Sequence, residues 1–223
     1  MKRQQKDEKN KTKILVVDDH PIVREGLAQL INRQEDLIVC GHAEDPARAL
    51  DAIGVLKPDL LIIDLTLKGI DGIELIKTVA TGFARLPVLV FSVFDEALYA
   101  ERALRAGARG YVMKREPTEK VILAIRRVLS GEIYVSERMA KKLLHKYFDR
   151  RQTIRGSPIE RLSDRELSVF RLIVQGLGTR QIAEHLHLSV KTIESHRAHI
   201  MEKLNLKSAT ELVQYAIRWG SIP

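Results

Sequence analysis

Residues 13–20 read Lys-Ile-Leu-Val-Val-Asp-Asp-His, a short apolar run closed by two carboxylates. The pattern returns at 60–64 as Leu-Leu-Ile-Ile-Asp, and related apolar runs stand at Leu37–Cys40, Val88–Ser92 and Gly110–Met113. Short apolar runs without polar alternation suit strands buried on both faces. Helix-like segments lie between them, at about 20–33, 45–56, 71–80, 95–106 and 117–130. Strands alternating with helices in this order predict an α/β fold over residues 13–130, a doubly wound, five-stranded parallel sheet.

Outward from that block the composition changes. Residues 1–12 are Lys, Gln, Asp and Asn with almost nothing apolar, and read as a disordered basic tail. Residues 131–158 form a basic linker that starts at Gly131 and ends in Arg155-Gly156-Ser157-Pro158, with one helix expected over Met139–Phe148. Residues 159–223 carry helix signals and no strand signals. Ser163-Asp164-Arg165-Glu166 is a capping box opening a helix to about Gln175, and Gly176 and Gly178 stop it. Thr179 starts a short helix to Leu186, Ser189 caps Val190–Leu204, and Ser208 caps a fourth helix to Trp219. The second domain is therefore expected to be an all-α, four-helix unit.

The charge is uneven. The formal net charge is +8, yet residues 14–130 hold 15 basic and 17 acidic side chains. The basic excess lies in residues 1–13, with six basic against two acidic, in 131–156, with seven against three, and in 157–223, with nine against seven. Such a balance favours a polyanionic partner for the later part of the chain. Aromatic content is 5% and Trp219 is the single Trp, which argues against a large aromatic-lined ligand pocket. Cys40 is the single cysteine, so no intramolecular disulfide can form; its place in an apolar run predicts a small core residue. No apolar signal segment or membrane-length run is present, so a cytoplasmic protein with no membrane association is expected.

In an open parallel sheet, sites form beyond the carboxyl ends of the strands. Asp18 and Asp19 end the first run, Asp64 the third and Ser92 the fourth, and Lys114 follows the fifth. Carboxylates held together repel, and Mg²⁺, a hard cation that takes oxygen ligands, is the simplest remedy. A carboxylate can also be the nucleophile that becomes an aspartyl phosphate, with an ammonium and a hydroxyl stabilising the phosphoryl oxygens. Taken singly the residues say less: Asp19 could cap the first helix, and Lys114 could be a surface charge.

The stretches ILVVDDHPIVREGL, PDLLIIDLTLKGIDGIEL, PVLVFS and GARGYVMK resemble the receiver domain of bacterial two-component response regulators. The resemblance implies that a sensor histidine kinase phosphorylates Asp64. It implies Mg²⁺ on Asp18, Asp19 and Asp64 with the Thr66 backbone carbonyl, Asp19 being a direct ligand. It makes Ser92 and Tyr111 a switch pair, with Lys114 on the phosphoryl group and Tyr111 following Ser92 inward. Many receivers place Pro directly after the strand-5 lysine, whereas here Arg115 and Glu116 precede Pro117. A haloacid-dehalogenase-type phosphatase would also use an aspartyl nucleophile, but it resembles a pattern with a second Asp two residues later, where this chain has Thr66. The chain is accordingly not expected to be an enzyme.

In the C-terminal part, Thr179–Leu186 and Val190–Leu204 fit the two elements of a helix-turn-helix. At 100° per residue Val190, Ile193, Ile200 and Leu204 share one face, with His196 near them, while Lys191, Glu194, Ser195, Ala198 and Glu202 share the other. Base contacts are then expected from Glu194, Ser195 and Ala198, and phosphate contacts from Arg180, Lys191, Thr192 and Arg197, with His199 at the edge. Spacing alone also allows a protein-binding helical bundle in which Glu194 pairs with Arg197. His185, His187, His196 and His199 cluster in sequence but lack the four-ligand layout of a zinc site. The run from Leu162 to Leu204, with Glu211–Gly220 beyond it, resembles the LuxR-type helix-turn-helix of the NarL/FixJ subfamily. That resemblance implies sequence-specific binding of double-stranded DNA as a homodimer, with Val213 and Ile217 in the dimer seam. The expected function is transcription regulation switched by phosphorylation of Asp64. The alternative is a regulator that binds DNA without phosphorylation, its receiver serving for dimerisation or interaction alone.

Overall fold

The computed structural model describes residues 11–67, 72–148 and 158–220. Most of the expected tail, the middle of the linker at 149–157 and the start of the expected helix at residue 71 lie outside the described residues. The chain divides into two compact units, residues 1–145 and 146–223.

The first unit holds β1 (Thr12–Val17), β2 (Leu37–Ala43), β3 (Leu60–Ile63), β4 (Val88–Ser92) and β5 (Gly110–Met113). All neighbouring strands pair in parallel, in the order β2-β1-β3-β4-β5. Helices α1 (Pro21–Asn32), α2 (Pro46–Leu56), α3 (Gly72–Gly82) and α4 (Glu96–Ala106) provide the crossovers, and α5 (Thr118–Leu129) follows the last strand. The central strands are closed to solvent on both faces: Ile14 to Val17 and Leu60 to Ile63 are each at most 1% exposed. Burying each such side chain stabilises the fold by about 1.5–3 kcal/mol relative to leaving it in water.

β2 departs from expectation. It runs on to Ala43, and Cys40 is half-buried instead of being a core residue. The reason is position: β2 is an edge strand, and the register steps from Ile14 opposite Val39 to Leu15 opposite Gly41, which leaves Cys40 as the bulged residue. Its thiol donates to the Ile14 carbonyl at 3.5 Å, and burial raises its pKa.

After α5 the chain does not leave the first unit at once. Tyr134 makes a parallel bridge to Gly110 on the free edge of β5, and α6 (Glu137–Phe148) follows, with Met139 buried.

The second unit opens with a 3₁₀ turn at Pro158–Arg161 and continues with α7 (Asp164–Val174), α8 (Thr179–His185), α9 (Val190–Leu204) and α10 (Ala209–Gly220). The expected caps are present: Ser163 and Glu166 complete a capping box, Ser189 accepts from the Thr192 N–H, and Ser208 accepts from the Glu211 N–H. Phe170 is the buried centre, with the Tyr215 and Trp219 rings at 6.1 and 5.7 Å. Ile193, Ile200 and Leu204 face inward as expected, but Val190 is 40% exposed, because as the first residue of α9 it has no preceding turn beside it. No helix among the described residues is long and apolar enough to cross a membrane.

Candidate functional site

The register of the sheet builds the first site. Val17 of β1 stands opposite Ile63 of β3, so Asp18 and Asp64 leave the sheet side by side. Both stay anchored beyond their strands, as the Asp18 N–H donates to the Ala43 carbonyl and the Asp64 N–H to the Val17 carbonyl. Ser92 pairs with Met113, and the Lys114 N–H donates to the Ser92 carbonyl, which brings the Lys114 side chain to the same end of the sheet. This is the point between β1 and β3 where the strand order reverses, the usual place for a ligand in an open α/β sheet.

Lys114 ties the cluster together. Its ammonium donates to Asp18 Oδ2 at 2.6 Å and to Asp64 Oδ2 at 2.8 Å, and both carboxylates are almost fully buried. Burial pushes the Asp64 carboxyl up, against the opposing pull of Lys114 and with a further push from Asp18. Burial alone would lower Lys114, but the two carboxylates outweigh it and hold the ammonium above its ordinary range.

Asp19 does not cap α1. The cap position belongs to His20, whose backbone N–H is accepted by Asp18 Oδ1 at 2.8 Å. The His20 ring nitrogen lies 2.7 Å from Asp19 Oδ1, an ion pair when the imidazole is protonated but outside hydrogen-bond geometry. Asp19 Oδ1 and Asp64 Oδ1 are therefore buried oxygens with no hydrogen-bond donor, as is the Thr66 hydroxyl. Buried acceptors without donors are costly and point to an absent partner. Asp18, Asp19, His20 and Asp64 each offer a ligand atom, all within 4.8 Å of one another. A cluster of hard oxygens with two unsatisfied carboxylate atoms fits a small divalent cation such as Mg²⁺.

Ser92 and Tyr111, the expected switch pair, are both buried. Ser92 is fully buried, and Tyr111 is 1% exposed with its hydroxyl donating to the Phe94 carbonyl at 3.0 Å. Tyr111 thus already sits inward. Burial raises its phenol pKa well above the ordinary range, with Tyr99 adding to the rise and the Ser92 hydroxyl opposing it. The Arg115-Glu116 insertion is absorbed by a turn in which the Glu116 N–H donates to the Met113 carbonyl.

Two residues close to Asp64 and Ser92 carry no sequence signal of their importance. Gly72 opens α3 against Asp64, and an added Cβ would come within 2.6 Å of the Asp64 carbonyl oxygen and of Leu65 Cα. Asp64 and Leu65 lie eight and seven residues before it, and only the fold shows the close approach. Glu96, at the start of α4, is buried and accepts from the Ser136 N–H, 40 residues on.

In the second unit, α9 presents Lys191, Glu194, Ser195, Ala198 and His199 on its exposed side, while Arg197 is half-buried. Arg180 at the start of α8 is exposed, and Thr192 is held at the α9 cap by Ser189. Among the described residues Glu194 forms no ion pair with Arg197. A tie from α7 to α9 was not anticipated: Glu166 accepts from Lys203 Nζ at 2.6 Å, and the His199 ring lies 3.9 Å away. Burial would raise Glu166, but Lys203 and Ser163 overcome it and hold the carboxyl below its ordinary value. Val213 and Ile217 are 41% and 58% exposed, while Leu212 and Ala216 on the other side of α10 are fully buried.

Residues 14–126 match the model of the response regulator receiver domain, and residues 160–216 match the LuxR family of bacterial regulatory proteins. The oxygen regulatory protein NreC of Staphylococcus epidermidis is 40% identical over 92% of this chain and 97% of its own length. RcsB of Salmonella typhimurium, solved in a study of its conformational dynamism for DNA interaction, is 28% identical with a TM-score of 0.72, covering 93% of this chain and 97% of that one. A second RcsB structure, bound to a promoter in the presence of the phosphomimetic BeF₃⁻, is also 28% identical, with a TM-score of 0.69 over 94% of this chain and all of that one. With a receiver on the first unit and a LuxR-type module on the second, the chain belongs to the NarL/FixJ-type response regulators of two-component systems.

Proposed function

We propose that Asp64 is the phosphoacceptor of a receiver spanning residues 13–130, and that its phosphorylation by a sensor histidine kinase controls DNA binding by residues 159–223 through the 131–158 connection. The observation that carries this reading is the buried Asp64 Oδ1, free of any hydrogen bond, beside an Oδ2 already held by Lys114. The free oxygen attacks phosphorus as the bond from phosphorus to the kinase histidine nitrogen breaks. Lys114 keeps Asp64 oriented and then donates to a phosphoryl oxygen, and the Ser92 hydroxyl donates to another. Asp18, Asp19, Asp64 and the Thr66 carbonyl would hold Mg²⁺, which supplies charge neutralisation when bound.

Glu194, Ser195 and Ala198 read base edges: a Glu can accept from cytosine N4, and Ala can meet a thymine methyl. Arg180, Lys191, Thr192, Arg197 and His199 position the helix on phosphates. Val213 and Ile217 form the seam of a homodimer on double-stranded DNA, supported by their exposure on α10. A cytoplasmic setting, where both kinase and DNA are reached, accords with this role.

Acetyl phosphate with Mg²⁺ should label the wild type and leave Asp64→Asn unlabelled. Selection of bound sites from random DNA by phosphorylated and unphosphorylated protein then tests the switch. Equal affinity of both proteins for the selected site, with and without phosphodonor, would sink it in favour of phosphorylation-independent binding.

A further inference from the structure

Residues 132–142 are built onto the receiver at four points. The Tyr134 N–H donates to the Arg109 carbonyl at 2.9 Å, and its carbonyl accepts from the Tyr111 N–H at 2.8 Å. The Ser136 N–H donates to Glu96 Oε1 at 2.7 Å, and Ser136 Oγ caps α6 by accepting from the Met139 N–H. Met139 is 2% exposed, and Lys142 Nζ donates to the Ala97 carbonyl at 2.9 Å. Gly110 lets the segment come close, since a Cβ there would meet the Tyr134 carbonyl at 3.2 Å.

Tyr111 is gripped at both ends. Its main chain bonds the segment at Tyr134, and its hydroxyl bonds Phe94, two residues beyond Ser92. The same short turn continues to Asp95, which caps α4, and to Glu96. Glu96 is 7% exposed, and no salt bridge to it is found among the described residues. A carboxylate is nevertheless favourable there, in the first turn of a helix with a backbone N–H aimed at it. Ser92, Phe94, Glu96 and Ser136 thus form one line from the phosphoryl site to the segment that leads out of the receiver.

We infer that residues 132–142 are a strap whose seating on the β5 edge follows the Ser92–Tyr111 switch, and that Glu96 is the positioning residue that locks it. The inference rests on Asp64 being the phosphoacceptor. Ser92 drawn toward a phosphoryl oxygen pulls on the Phe94–Glu96 turn, and the inward Tyr111 and seated strap belong to one arrangement. Phosphorylation therefore tightens the strap, and the unphosphorylated receiver releases it more often.

Amide hydrogen exchange on the full chain tests this, with Mg²⁺ and beryllofluoride as the phosphoryl mimic. In the wild type, exchange should slow both at Ser92–Phe94 and at the Tyr111, Tyr134, Ser136 and Met139 amides. In Glu96→Gln the neutral acceptor is the weaker, so the Ser136 and Met139 amides should exchange about tenfold faster. They should lose their response to the mimic, while Ser92–Phe94 still responds and acetyl phosphate still labels Asp64. Lys142→Met should loosen the same strap from its other anchor. A general loss of structure would speed exchange throughout the receiver, and so is distinguishable from a lost lock. Response at Ser92–Phe94 with an unchanged strap, or a strap that loosens, overturns the inference and leaves the phosphoacceptor reading standing. No response at either place overturns both.

Discussion

Asp64→Asn separates two consequences of the acidic cluster that act in opposite directions. Burial raises the Asp64 pKa despite the Lys114 ammonium, and neighbouring Asp18 adds to the rise. A carboxyl with a raised folded pKa holds its proton more tightly in the native state than when unfolded. Its contribution to stability is full below the unfolded value of about 3.9 and is lost as pH rises through the folded value. At pH 7 the ionised side chain therefore costs stability, and an isosteric amide removes that cost while keeping an oxygen for Lys114. Without Mg²⁺, Asp64→Asn should melt above the wild type at pH 7, and the gap should close as pH falls toward 4.

Mg²⁺ should reverse the order. At a hundred times its Kd, a ligand bound only by the native state adds about 2.7 kcal/mol. At roughly 2–4 °C per kcal/mol for a chain of this size, the wild type should gain about 5–11 °C. The variant lacks one of the clustered carboxylates and should gain little. The assay is a thermal melt of each protein at pH 4–7, in chelator and in excess Mg²⁺, following the receiver transition. An equal Mg²⁺ gain in both proteins would place the ion elsewhere. A variant less stable than the wild type in chelator at pH 7 would mean that the Lys114–Asp64 bond outweighs the burial of the charge.

Other perturbations address the remaining parts. Gly72→Ala forces a Cβ to 2.6 Å from the Asp64 carbonyl oxygen, a backbone collision that should cost about 1–3 kcal/mol and slow labelling by acetyl phosphate; an unchanged melt and labelling rate would refute the close approach. Glu194→Ala should relax base preference at one position, whereas Lys191→Ala should weaken all sequences alike and reduce the salt slope by about 1; a uniform loss from Glu194→Ala would make that residue scaffold. His187 joins α8 to α9 at φ +52°, a left-handed conformation that costs a non-glycine residue about 1–2 kcal/mol. His187→Gly should raise the denaturation midpoint of the second unit, by an amount that the added chain entropy of glycine holds to about 1 kcal/mol, and a drop would show that the imidazole is held by contacts.

What could be foreseen follows the range of the forces. The strands β1, β3, β4 and β5 are buried on both faces, so their composition declares them, and Asp18, Asp64 and Ser92 follow from where each apolar run stops. The caps at Ser163, Ser189 and Ser208 are local, each satisfied within three residues, and are equally legible. Cys40 is not, because whether an apolar run is central or at an edge depends on strand order, which no single run contains. Glu96 meets Ser136 across 40 residues, and Lys203 meets Glu166 across 37. Such pairs exist only once two elements have docked, and a lone Glu beside an Asp cap looks like any first-turn acid.

On the proposed reading of Asp64 as phosphoacceptor, charge balance gives the same few side chains a way to act as a switch. Asp18, Asp19 and Asp64 gather three carboxylates around one ammonium, which already bonds two of them. The excess is two negative charges, the deficit that a divalent cation fills without further protein. Converting Asp64 to an acyl phosphate would add roughly one more negative charge at neutral pH and three strong acceptor oxygens. Lys114 bonds two of the carboxylates, and its raised pKa keeps it protonated throughout the physiological range. It can turn to the phosphoryl group only by loosening its hold on a carboxylate. The remaining acceptors must then draw in a neutral donor, and Ser92, fully buried at the end of β4, is placed to respond. The new charge would thus be converted into movement of an uncharged hydroxyl, and the bonds of Phe94 to Ser92 and of Tyr111 to Phe94 would pass that movement on.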